Sequence, residues 1–94
     1  MTFPADLKET VILALSDNLK DMKAVEVFSK ASEIDLFRYH MGLGTMIRNH
    51  YKLWEKKKLE KYINPDDYME YLMYSNADEL SFEFMKEAQK LINE

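Results

Sequence analysis

The stretch Leu36-Phe-Arg-Tyr-His-Met-Gly-Leu-Gly-Thr-Met-Ile-Arg-Asn-His-Tyr-Lys-Leu-Trp54 decides the fold class. Within it Leu36, His40, Leu43, Ile47, Tyr51 and Trp54 recur at three or four residues, a helical stripe of about five turns. Ser32-Glu33-Ile34-Asp35 precedes it as a capping arrangement, with an acid three residues after the serine. The spacing therefore predicts a long central helix from about Ser32 to Trp54. The same stretch holds both glycines, both histidines and the only tryptophan, a concentration that marks either a site or a tight packing joint.

Working outward, Pro4 suits a helix entry, and Leu7, Val11, Leu15 and Ile12 form one face over about residues 5 to 15. Ser16-Asp17-Asn18 reads as a break. Met22, Val25 and Phe28 then fall at helical spacing within Leu19 to Ala31, although Val25 and Val27 would also tolerate an extended form. Asn64-Pro65-Asp66-Asp67 starts another helix, with Asn64 as cap, Pro65 at the first helical position and two acids near the positive end of the dipole. Met69, Leu72 and Met73 would face its core. A last helix over residues 78 to 92 offers Phe84, Met85, Ala88, Leu91 and Ile92. The expectation is an all-α bundle of about five helices forming a single domain over residues 1–94.

Composition agrees. The chain of 94 residues is 47% hydrophobic, and 2 Gly and 2 Pro are too few for many short strands joined by turns. The absence of cysteine excludes disulfides, thiolate metal sites and a cysteine nucleophile. The amino-terminal residues lack a signal-peptide pattern, and no apolar run reaches the roughly 20 residues of a membrane span, so a cytoplasmic location is expected.

Charge is segregated. Residues 1 to 47 carry −2, residues 48 to 61 carry +4 and residues 62 to 94 carry −6, for the net −4. The middle block of Arg48, Lys52, Lys56, Lys57, Lys58 and Lys61 either meets phosphate or an acidic surface, or pairs with the acidic carboxyl-terminal third within one chain or between copies. A general nucleic-acid binder would be basic overall, which this chain is not.

The spacing also places candidate site residues. His40, Gly44 and Arg48 are four apart, so on a helix Arg48 leans over the bare backbone at Gly44. One reading is a notch for phosphate, with Lys52 assisting and Tyr51 or Trp54 stacking on a nucleotide base. The other is packing: Gly42 and Gly44 allow a close helix crossing, and Arg48 binds a carboxylate such as Asp66 or Asp67, or a carbonyl at a helix end. Each helical glycine costs about 1 kcal/mol against alanine, so one of these must offset it. His40, on the apolar stripe, suits a hydrogen-bonded core histidine better than a catalyst, and His50 suits the surface. Ten residues of helix separate the two by nearly three turns, too far to share a metal ion. No nucleophile motif, phosphate loop or ligand cluster is present, so neither an enzyme nor a bound cofactor or metal is expected. Tyr68, Tyr71 and Tyr74 alternate with Met69, Leu72 and Met73, making that helix apolar nearly all round. With Phe82 they are either core filling or an interface for a partner or a second copy.

The ordered set Asp35-Leu36, His40, Gly42-Leu43-Gly44, Ile47-Arg48-Asn49, Leu53-Trp54, Leu59, Tyr62 and Pro65-Asp66-Asp67 with Met69 resembles an uncharacterised small-domain family of bacteria and their phages. The resemblance spans about residues 33 to 75. It departs at Asn64, where the family often has histidine, and at a more basic joint after Trp54. It implies a compact helical domain and assigns no catalytic role. Two functions follow as expectations. The first is a non-catalytic binding protein that self-associates and inhibits or sequesters a partner through a helical, aromatic-rich surface. The second is an oligomeric binder of a phosphate-containing small ligand such as a nucleotide signal.

Overall fold

Leu80, Ser81, Phe84, Met85 and Ala88 recur at helical spacing and are buried, and the helix that carries them is the spine of the molecule. The computed structural model describes residues 2–16, 22–55, 61–62 and 76–94. Among these are five α-helices: α1 (Leu7–Leu15), α2 (Lys23–Ser29), α3 (Glu33–Phe37), α4 (Thr45–His50) and α5 (Ala77–Asn93). A π-helical turn, His40–Gly44, leads into α4. The fold is a small all-α bundle, and α1 to α4 and the π-turn all pack on α5. No described helix is long and apolar enough to cross a membrane.

The expected long central helix is corrected here. Its segment is interrupted: Arg38 and Tyr39 donate their N–H groups three residues back, to Asp35 and Leu36, and Gly44 donates five back, to the Tyr39 carbonyl at 2.8 Å. α4 then ends as a Schellman motif, in which the Leu53 N–H reaches the Arg48 carbonyl at 2.9 Å and Lys52 takes a left-handed φ of 54°. That turn buries Leu53 and sends Trp54, expected on the core stripe, out to 61% exposure. The central role passes to α5 because it has the longest uninterrupted apolar stripe among the described helices.

Other expectations fare better. Ser32 caps α3 by accepting from the Asp35 N–H at 3.2 Å, and Asn76 caps α5 through the Asp78 N–H at 2.8 Å. α1 ends at Leu15, where the Ser16 N–H and hydroxyl both donate to the Ile12 carbonyl. The second segment is a helix over Lys23–Ser29 that buries Val25 and Phe28 and exposes Val27, whereas Met22, at its cap, is exposed rather than on the buried face. The helix read from Asn64-Pro65-Asp66-Asp67, with Tyr68, Tyr71 and Tyr74, lies outside the described residues.

Phe84 anchors the core, with Phe3, Tyr51 and Tyr62 packed edge-on at 5.3, 5.6 and 5.3 Å. Farther along α5, Gln89 Nε2 donates to the Phe28 and Ala31 carbonyls at 3.1 and 2.6 Å, and Asn93 Nδ2 donates to the Ser29 carbonyl at 2.8 Å. The Phe28 carbonyl also accepts from the Ala31 N–H at 3.2 Å, so Gln89 adds a second donor there and supplies one to the Ala31 carbonyl just past the helix, and with Asn93 ties α2 to the spine.

A buried arginine beside an aromatic and acidic cleft

The site begins with Gly44. A Cβ placed there would lie 3.1 Å from Arg48 Nη1, 3.5 Å from the Tyr39 carbonyl oxygen and 3.7 Å from Met85 Cε. The glycine thus admits the guanidinium and the spine helix together. Gly42 differs: nothing lies within 4 Å of its position, so the expected role in a helix crossing falls to Gly44 alone.

Arg48 is 5% exposed and its two terminal nitrogens are fully engaged. Nη1 donates to Ser81 Oγ at 3.1 Å and lies 3.4 Å from Asp78 Oδ1. Nη2 donates to Thr45 Oγ1 at 2.8 Å and to the His40 carbonyl at 3.2 Å. That carbonyl is the one the Gly44 N–H would take in a regular α-helix. The π-turn therefore supplies one of the acceptors that hold the arginine, and the arginine in turn holds the π-turn. Nε is buried without a hydrogen-bond partner among the described residues. The guanidinium carbon stands 5.6 Å from the centroid of the Trp54 ring, whose Nε1 is fixed by Asn49 Oδ1 at 3.1 Å.

Asp78, half exposed, links this network to a cleft of about 560 Å³ lined by Phe37, His40, Asn76, Asp78, Glu79, Phe82 and Glu83. The Phe37 and Phe82 rings are 5.3 Å apart at 53°, and His40 Nε2 lies 3.9 Å from Asp78 Oδ1. Lys86 Nζ lies 5.2 Å from the centroid of the Phe82 ring, 2.8 Å from Glu83 Oε1 and 4.0 Å from Glu33 Oε1. No ion-pair partner for Glu79 occurs among the described residues. Ile34, Phe37 and Met41 are 77%, 66% and 81% exposed, at successive spacings of three and four residues.

His40, Gly44 and Arg48 are thus brought together, as their spacing suggested, and Trp54 joins them by the turn that takes it off the core stripe. His40 is half-buried at the cleft wall rather than in the core. Tyr51 instead enters the aromatic core and donates its hydroxyl to Asp6 Oδ1 at 3.1 Å. Burial, reinforced by the Asp6 carboxylate, pushes its phenol up to about 12, although a hydrogen bond with Thr10 acts in the opposite sense. Burial also raises the Tyr62 phenol. Lys52 serves the backbone turn, with its side chain exposed. His50 is on the surface, its ring edge-on to Tyr51 at 4.7 Å. Asp66 and Asp67 lie outside the described residues; the described carboxylate beside Arg48 is that of Asp78.

The sequence reading missed Ser81, Thr45, Asp78 and Phe37. Ser81 had a legible signal, since a serine in the apolar stripe of α5 needs a polar partner once buried. Asp78 lies thirty residues from Arg48 in sequence and Phe37 lies off the core stripe, so only the packing shows their place.

Chemically, a phosphate entering the cleft would meet Asp78, Glu79 and Glu83, while the terminal N–H groups of Arg48 are already engaged. Carboxylates beside aromatic faces favour a cation or an apolar group instead.

Fold and site together define a small helical domain whose spine is braced by a buried arginine. The chain belongs to the family described as a domain of unknown function (DUF6794), whose model matches residues 3–90. No curated protein and no solved structure matches the chain.

Proposed function

We propose that this chain is a non-catalytic binding protein that engages another protein through α3, the π-turn and the first half of α5, and so inhibits or sequesters that partner. The observation that carries this reading is the exposure of Ile34, Phe37 and Met41, large apolar side chains three and four residues apart, of which Phe37 lines a cleft with Phe82. Single exposed apolar residues are ordinary, but adjacent ones rimmed by charge characterise contact surfaces. The backbone beneath them is well anchored. Leu36 and Leu43 are buried, and the π-turn is bonded to Arg48. A face that is already ordered loses little conformational entropy on binding.

The test is affinity capture from the native host's lysate with the intact chain and with a Phe37→Ser, Met41→Ser double variant. Both side chains are exposed, so the variant keeps its circular dichroism spectrum and melting temperature. A partner held by the intact chain and lost by the variant supports the reading. Equal retention by both places the interface elsewhere. The surface expected at Tyr68, Tyr71 and Tyr74 lies outside the described residues, whereas Phe82 belongs to the proposed face.

A further inference from the structure

We infer that the cleft between Phe37 and Phe82 receives a cationic side chain, an arginine or lysine, from a basic segment of the partner protein. This deepens the proposed binding function and rests on it. Three features of the cleft lead to this occupant. Its wall presents two aromatic rings, whose faces attract cations. Asp78, Glu79 and Glu83 line the cleft together with those rings, giving it an acidic wall. The chain also contains an example of this recognition: the Lys86 ammonium lies over Phe82 while bonded to Glu83.

The carboxylates are not equivalent. Asp78 faces Arg48, and Glu83 is bonded to Lys86. Glu79 has no ion-pair partner among the described residues and is the counter-ion for an incoming charge. It lies one turn before Glu83 and three residues before Phe82 on α5, so a cation at the ring meets its carboxylate from the same helix surface. Ile34 and Met41, exposed and three and four residues from Phe37 in sequence, would take apolar side chains of the same segment. The partner segment therefore presents a basic residue with large apolar neighbours, the pattern of an amphipathic basic helix.

The test is an amide NMR titration of the full chain with two short alanine-based helical peptides. Each carries flanking leucines and differs at one central residue, arginine or norleucine. The arginine peptide should bind about three- to tenfold more tightly, from one ring contact and one exposed ion pair, with shifts at Phe37, Asn76, Glu79 and Phe82. Raising salt from about 50 mM to about 500 mM should erase most of that preference. Glu79→Gln should bring the two peptides within about twofold of each other while leaving the norleucine peptide's affinity unchanged. The glutamate is exposed, so the variant retains the native spectrum away from position 79.

Equal affinity for both peptides, or an arginine preference that survives Glu79→Gln, overturns the inference. If both bind equally with shifts at Ile34 and Met41, the binding face stands and the cation site fails. If neither binds, the cation site fails, and the capture experiment decides the face independently. Concentration-dependent shifts of the same cleft residues without peptide would assign the cleft to a second copy and overturn the inference as well.

Discussion

Replacing Arg48 with methionine keeps a long apolar stem in the space under the π-turn and removes the guanidinium. Three hydrogen bonds are lost, to Ser81 Oγ, Thr45 Oγ1 and the His40 carbonyl, each worth about 1 kcal/mol net. The ion pair with Asp78 adds no more than about 1 kcal/mol, because that side chain is 51% exposed and water solvates it once the partner is gone. Against this, methionine relieves the desolvation of a nearly buried charge and of the unpartnered Nε, together about 1 to 2 kcal/mol. The balance is a destabilisation of about 2 kcal/mol, which in a domain of this size lowers the melting temperature by roughly 10 °C. Lysine should do no better than methionine, since one ammonium cannot fork between the π-turn carbonyl and Ser81. The assay is thermal and urea unfolding followed by circular dichroism, with an unchanged urea slope confirming the same folded and unfolded states. Arg48→Met with a melting temperature equal to or above that of the parent chain would refute the bracing role.

The two glycines should respond in opposite directions. Gly42→Ala, with nothing near its Cβ, should stabilise by about 0.5 to 1 kcal/mol in urea unfolding, whereas Gly44→Ala should destabilise by about 1 kcal/mol as its methyl crowds the restrained Arg48. Lys52→Gly, relieving a left-handed residue at the end of α4, should stabilise by about 1 kcal/mol in the same assay. Gln89→Ala, removing the Ala31 carbonyl's side-chain donor and the second donor to the Phe28 carbonyl, should cost about 1 kcal/mol, and hydrogen exchange should quicken first in α2. Tyr51 gives a pH signature. With its phenol near 12 when folded and near 10 when unfolded, the unfolded chain releases this proton first, so its contribution is complete below pH 10 and is lost as pH rises through 12. Tyr51→Phe should flatten the loss over that interval, as checked by urea midpoints against pH.

The sequence alone determined that the chain is helical, where α1 and the final helix lie, and that Ser32 caps the third segment. These properties are local: period, caps and the scarcity of glycine and proline need no knowledge of what packs on what. The relation of Arg48 to Gly44 was legible for the same reason, since residues four apart lie on one helix edge. Tertiary structure decided which helix is central, where the segment from Ser32 to Trp54 breaks, and what Arg48 touches. An interrupted segment and an uninterrupted helix share one apolar period, and the preference for five-back over four-back bonding at Gly44 arises when a buried guanidinium needs the His40 carbonyl. Ser81 and Asp78 lie thirty or more residues from Arg48, and Phe37 lies 45 residues from Phe82 (82 − 37). Such juxtapositions depend on how helices cross, and spacing along a single helix carries no record of them.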